Sequence, residues 1–224
     1  MKGLFVTGTD TGVGKTRVAL ALIRALRARG LRVAAMKPVA AGCAPGGLNE
    51  DVTALLQAAN ATADIRDVNP YAFEPAIAPH IAAQQAGVRI EVGVIADAFA
   101  RLAAAADVVV VEGAGGWRVP LNEDEDMADL AQRLGLPVVL VVGLRLGCLN
   151  HAMLTAESIA QRHLPWAGWV GNQIDPTMIF QAENVAALQA RLPGPRLGVQ
   201  AFQSAGFSAE CMPQWLTLPV ELDN

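Results

Sequence analysis

The apolar positions of this chain alternate between two kinds of segment. Gly3–Thr7, Leu31–Met36, Asp107–Val111, Pro137–Val142 and Trp166–Asn172 are short, nearly unbroken apolar runs, the pattern of strands buried on both faces. Between them apolar residues return at helical spacing. Thr16–Arg29 carries Val18, Leu22, Ala25 and Leu26 on one face and is closed by Gly30, which predicts a helix. Val52–Ala59, Arg89–Ala106, Met127–Leu134, His151–Arg162 and Glu183–Leu192 read as further helices. Asn69–His80, with Pro70, Pro75 and Pro79, reads as a long surface loop, and loops of that length in compact domains are usually functional. Strands and helices in alternation build βαβ units. The expected fold is therefore α/β, a mostly parallel central sheet with helices on both faces.

Composition agrees. The chain is 53% hydrophobic and only 17% charged, as strands covered on both sides require. At 224 residues it suits one well-buried domain spanning residues 1–224. No repeat, low-complexity tract or linker interrupts it. A net charge of −4 argues against a nucleic-acid partner or an anionic membrane, both of which want clustered Lys and Arg. The longest apolar runs, Ala103–Val111 and Leu136–Leu144, cover nine positions each, about half of what a membrane-spanning helix needs. No signal peptide fits before the first strand. Cys43, Cys148 and Cys211 are too few and scattered for a disulfide framework or metal site. A reducing, cytoplasmic setting and a small-molecule partner are expected.

The chemistry begins where the first strand runs into Gly8-Thr9-Asp10-Thr11-Gly12-Val13-Gly14-Lys15-Thr16. A loop that cradles phosphates needs glycines so that consecutive N–H groups turn inward, a lysine to reach the outer phosphates, and a hydroxyl for Mg²⁺. Gly12, Gly14, Lys15 and Thr16 supply all of these. The helix beginning at Thr16 adds its N-terminal partial positive charge. The segment predicts binding of a nucleoside triphosphate, ATP or GTP, and a P-loop NTPase fold. Its count is a variant, because the usual first glycine position is Thr9, with Gly8 one residue earlier. The plainer alternative, a Gly-rich turn merely joining strand to helix, stands against Gly-Lys-Thr in frame.

Other residues acquire meaning from position. Glu112 ends the four-valine strand, where ligands bind in open parallel sheets and a second acidic Mg²⁺ partner is expected; an ordinary strand exit is the alternative. Gly113–Gly116 permits close approach of backbone to a phosphate. Asp51 opens a helix, as a cap or as a metal ligand. Lys37, at the end of the second strand, binds a substrate anion or is a solvated loop lysine. His80, His151 and His163 show no metal spacing.

Taken in order, FVTGTDTGVGKT (5–16), KPVAAG (37–42), VNPYAFEPAIAPH (68–80), VVVEGAGGW (109–117), PVVLVVGLRLGCLNHAMLT (137–155) and AGWVGNQ (167–173) resemble the dethiobiotin synthetase family of biotin biosynthesis. The resemblance implies an ATP- and Mg²⁺-dependent carboxylation of 7,8-diaminononanoate by CO2, taken as bicarbonate in solution. It passes through a carbamate and a carbamic–phosphoric anhydride to ring closure, releasing ADP and phosphate. It implies Lys15 bridging the β- and γ-phosphates and Lys37 holding the carbamate and the transferring phosphoryl group. Thr16, Asp51 and Glu112 are implied as the Mg²⁺ set, which favours the ligand reading of Asp51. Gly12, Val13, Gly14, Arg17, Gly113, Ala114 and Gly115 are implied to flank the nucleotide, with Asn172 and Gln173 beside its base. Thr11 is implied to contact the diamine. Gly147, Cys148 and Asn150 are implied to bind the substrate's distal carboxylate at a helix N-terminus across a homodimer interface.

Three departures stand out. Ala41 replaces a frequent hydroxyl residue, and Arg145 replaces a frequent Lys. The stretch GVQAFQSAGFSAECMPQW (198–215) lacks the Pro-containing turn that commonly packs on adenine. Two other classes fit less well. Partition or septum-positioning ATPases carry a lysine two residues before Gly12, where this chain has Asp10, and a membrane switch wants a C-terminal basic amphipathic helix. A cobyrinic-acid-type amidotransferase needs a glutaminase region for which too few residues follow Asn172.

Overall fold

The first apolar run forms β1 (Gly3–Gly8), wholly buried, at the centre of the sheet. The computed structural model describes residues 2–203 and 214–219. After β1 come α1 (Lys15–Ala28), β2 (Val33–Met36), β3 (Val39–Ala41), α2 (Glu50–Ala58), α3 (Ile65–Val68), β4 (Tyr71–Phe73), α4 (Pro79–Gln85) and α5 (Val92–Ala105). The second half supplies β5 (Val108–Glu112), α6 (Met127–Leu134), β6 (Val138–Leu144), α7 (Cys148–Gln161), β7 (Trp166–Gln173), α8 (Gln181–Gln189) and β8 (Arg196–Gln200).

The six strands of the main sheet are all parallel, in the order β2-β5-β1-β6-β7-β8. Parallel strands need crossovers, and the crossover helices cover both faces. Leu4, Val6, Val110 and Val141 meet α1 on one side, while Phe5, Val109, Val111 and Leu140 meet α5, α6 and α7 on the other. This explains the unbroken valines of β5, since alternation is needed only where one face is wet. Each fully buried Val or Leu contributes about 1.5–3 kcal/mol.

The order puts β1, and the loop that follows it, in the middle of the carboxyl edge. β5 and β2 lie to one side of it, β6, β7 and β8 to the other.

Two expectations need correction. Asn69–His80 is not a loop throughout: Tyr71–Phe73 pairs in parallel with Val39–Ala41, and Pro79 starts α4. Three-residue strands carry no readable period, and a proline at the first helical position starts a helix rather than breaking one. The helix expected from His151 begins at Cys148, because Gly147 opens it without a side-chain cap that the sequence could advertise. β8, for which no pattern stood out, completes the sheet edge. Cys43 and Cys148 are buried free thiols, and Cys211 lies outside the described residues. Among the described residues no helix is long and apolar enough to cross a membrane.

Candidate functional site

Four elements bring charge to one point at the carboxyl edge of the sheet. Lys37 follows β2, Glu112 ends β5, Lys15 and Thr16 open α1, and Asp51 lies in the first turn of α2. The Lys37 ammonium donates to Glu112 Oε1 at 2.5 Å and to Asp51 Oδ2 at 3.0 Å. Thr16 Oγ1 donates to the same Glu112 oxygen at 2.8 Å. Glu112 is completely buried and Lys37 is 6% exposed. The other Glu112 oxygen, Oε2, meets no hydrogen-bond partner among the described residues.

Local structure sets these positions. Asn49, not Asp51, caps α2: its side chain accepts from the Asp51 N–H at 2.9 Å and donates to Ala41 O at 3.1 Å. The cap reading of Asp51 is thereby excluded, and its carboxylate turns to Lys37. The Lys37 backbone is clamped by the last residue of α3 and the residue that follows it. Its N–H donates to Val68 O at 2.8 Å and its carbonyl accepts from Asn69 Nδ2 at 2.7 Å. Beyond β5, buried Trp117 packs edge-on against Phe5 at 6.4 Å and donates from Nε1 to Ser158 Oγ at 3.1 Å, fixing the Gly113–Gly116 turn over α7.

The phosphate-type loop is equally determined. Gly14 has φ +93°, and a Cβ there would lie 2.1 Å from Asn172 Nδ2. That nitrogen donates to Val13 O at 2.8 Å, tying the loop to β7. Asp10 anchors the loop's other end. Its carboxylate accepts from the Thr11 N–H at 2.8 Å and from Arg145 at 2.6 Å, while its carbonyl accepts from Lys15 Nζ at 2.9 Å. Asp10 and Arg145 are 135 positions apart, so no local spacing announces the pair.

The two lysines respond oppositely to burial. Burial, reinforced by the nearby charge of Lys37, lowers the Lys15 pKa from 10.5 to about 8. Lys37 is also desolvated, but the Glu112 and Asp51 carboxylates and their hydrogen bonds more than offset this and raise it above the ordinary lysine value. The site thus holds one firmly charged ammonium and one whose charge is held less firmly until an anion arrives.

A cavity of about 650 Å³ opens over this cluster, walled by Lys15, Thr16, Lys37, Asp51 and Glu112, with Ile77 and Pro79 contributing an apolar side. Thr11, Gly12, Gly14, Arg17, Ala41, Ala114 and Gly115 also line it. Val13 and Gly113 lie beneath it, buried. Asn172 and Gln173 stand apart on β7, and Gln173 accepts from the Phe202 N–H at 3.1 Å. Gly147, Cys148 and Asn150 do not line the cavity. Cys148 is buried and its N–H already donates to Arg145 O at 3.0 Å, whereas Asn150 is exposed. The wall from Ala76 to Pro79 comes from the Asn69–His80 segment expected to be functional, whereas the Asn49 cap, two residues before Asp51, is a readable signal that the sequence reading passes over.

Among the described residues no three His, Cys, Asp or Glu gather around a point. Two carboxylates, a hydroxyl and an unpartnered carboxylate oxygen nevertheless fit a hard cation that keeps several waters, as Mg²⁺ does.

Comparison with known proteins follows the same lines. A family model described as an AAA domain matches residues 2–200. An ATP-dependent dethiobiotin synthetase BioD of Nitrosospira multiformis is 56% identical over 198 residues, covering 88% of this chain and 87% of the relative. One from Janthinobacterium is 46% identical over 226 residues, covering 94% and 96%. Among solved structures, the MinD cell division protein of Aquifex aeolicus superposes with a TM-score of 0.56 at 14% identity, covering 89% of this chain and 81% of that one, a likeness of fold alone.

Proposed function

Because the chain belongs to the ATP-dependent dethiobiotin synthetase family, ATP-dependent ligases of biotin biosynthesis, we propose that it carboxylates 7,8-diaminononanoate and closes the ureido ring. One amine takes up CO2 as a carbamate and loses a proton. A carbamate oxygen attacks the γ-phosphorus of ATP as the bond to ADP breaks, giving a carbamic–phosphoric anhydride. The second amine then attacks the carbonyl carbon, and phosphate leaves with loss of a proton.

The observation that carries this reading is the Lys37 ammonium, held between Asp51 and Glu112 on the same cavity wall as Lys15. Two anions, a carbamate and a triphosphate, must approach each other, and cations placed in advance in a buried site oppose their repulsion. Lys15 serves the β- and γ-phosphates and Lys37 the carbamate and transferring phosphoryl group. Thr16, Asp51 and Glu112 hold Mg²⁺, which when bound neutralises phosphate charge. Thr11 meets the diamine, while Gly12, Val13, Gly14, Arg17, Gly113, Ala114 and Gly115 flank the nucleotide. The apolar wall at Ile77 and Pro79 suits the substrate's methylenes.

Asn172 and Gln173 lie on the base side. Gly147, Cys148 and Asn150, remote from their own cavity, serve the distal carboxylate of substrate in a partner protomer. Supporting a homodimer, Leu146, Leu154, Ile179 and Phe180 are exposed large apolar residues on or just before α7 and α8. A cytoplasmic setting fits the free thiols.

Purified protein mixed with diaminononanoate, bicarbonate, Mg²⁺ and ATP should yield dethiobiotin by mass spectrometry. Absence of product, with ATP turnover stimulated instead by lipid or a protein partner, would overturn the reading in favour of a switch ATPase.

A further inference from the structure

The sheet order divides the space around the phosphate loop. Lys37 just after β2 and Glu112 on β5 lie to one side of β1, and the cavity occupies that side. A triphosphate whose outer phosphate faces Lys37 must carry its nucleoside toward the other side, over β6, β7 and β8. At the carboxyl ends of those strands Asn172 and Gln200 are direct partners in the parallel register, so their side chains leave on the same face of the sheet. That face is the one bearing the phosphate loop, because Asn172 Nδ2 donates to Val13 O at 2.8 Å. Just beyond Gln200 the chain returns to the nucleotide loop's own helix: Arg17 in the first turn of α1 donates to Gln203 Oε1 at 2.6 Å.

Gln200 is 5% exposed. Its Oε1 is buried and meets no hydrogen-bond partner among the described residues. Leaving a buried polar group unsatisfied is costly, and a hydrophobic residue at the same place would avoid that cost. A glutamine there, with its oxygen unpartnered, points to a donor that arrives with a ligand. Asn172 and Gln203 of this strip pair with the phosphate loop and with α1, so the nucleotide is the ligand in reach.

We propose that Gln200 is a specificity residue for the nucleobase, its carboxamide oxygen accepting a hydrogen bond from the exocyclic amine of adenine. A base with a carbonyl at that position presents an acceptor to an acceptor and is rejected. The inference rests on the proposed nucleotide-dependent function for which side of the loop the base occupies, and extends it to which base is preferred.

Direct binding of three diphosphates tests it: ADP, inosine diphosphate, and the diphosphate of purine riboside, which lacks only the amine. The full-length protein should bind ADP about tenfold more tightly than either analogue, the worth of one satisfied hydrogen bond. In Gln200→Met, which replaces an unpartnered amide by an apolar chain of similar length, ADP should lose that advantage while affinity for the purine riboside diphosphate stays. Gln200→Glu keeps the acceptor and should keep the preference. In turnover, the Met variant should change KM for ATP rather than kcat. Equal binding of the three ligands by the parent overturns the proposal without needing any variant to fold, as does an undiminished ADP preference in Gln200→Met. Dethiobiotin formation by the parent is scored separately. Its absence would defeat the proposed reaction, whereas a normal yield with no base preference would defeat only the role of Gln200.

Discussion

Lys37→Met removes the one ammonium that, among the described residues, contacts the fully buried Glu112 carboxylate. In the parent, Glu112 has no solvent contact and shares one oxygen between Lys37 and Thr16, while its second oxygen has no partner among the described residues. The variant leaves that charge with a single neutral hydroxyl. Breaking a buried pair on one side costs about 3–5 kcal/mol, a fifth or more of the roughly 5–15 kcal/mol that holds a domain of this kind together. Glu112→Gln placed on top of Lys37→Met removes the stranded charge, so the double variant should regain most of the loss. The pair should then show a coupling of about 2–3 kcal/mol in a double-mutant cycle. The assay is equilibrium unfolding in guanidinium at neutral pH, without nucleotide or divalent metal, with slopes compared to confirm that the same surface is exposed. Added Mg²⁺ should stabilise Lys37→Met more than the parent, because the cation replaces the missing charge. A variant within about 0.5 kcal/mol of the parent, or strictly additive losses, would refute the account of Lys37 as the charge partner of Glu112. Dethiobiotin production should fall severely in the same variant while nucleotide still binds, and unchanged turnover would remove Lys37 from the site.

Two further outcomes follow from the loop. Gly14→Ala should abolish nucleotide binding and lower stability by several kcal/mol, because a Cβ there meets Asn172 Nδ2 at 2.1 Å and φ is +93°. Gly12→Ala has φ +73° but open space, so its cost should stay near the roughly 1–2 kcal/mol of a left-handed backbone alone; equal losses by thermal unfolding would contradict this. The lowered pKa of Lys15, about 8, means that the nucleotide-free fold binds fewer protons than the unfolded chain between that value and 10.5. The contribution of this group to stability therefore rises with pH across that window. Phosphates reverse the shift, so ADP binding just above the pKa should take up a proton and weaken as pH rises. Calorimetry in two buffers of different ionisation heat measures the uptake, and zero uptake or proton release would rule it out.

Much of this protein could be read along the chain. The unbroken valines of β5, the helical repeat of α1 and the Gly-Lys-Thr at the junction of β1 and α1 are local signals, because burial on both faces and a phosphate-binding turn each impose a short-range pattern. Met127–Leu134 has the bounds its pattern predicts, and the structure shows an Asp126–Asp129 capping box at its start and Gly135 at its end. Other features carried no such mark. Tyr71–Phe73 is strand only because Val39–Ala41 lies beside it, and Gln200 matters only because the register sets it against Asn172. Asp51 could be cap or ligand until Asn49 took the cap and Lys37 the carboxylate. Local sequence specifies conformations that hydrogen bonds within a few residues satisfy. The meeting of Lys37, Asp51 and Glu112 belongs to the sheet order, which brings the ends of β2 and β5 together and desolvates their charges at one point.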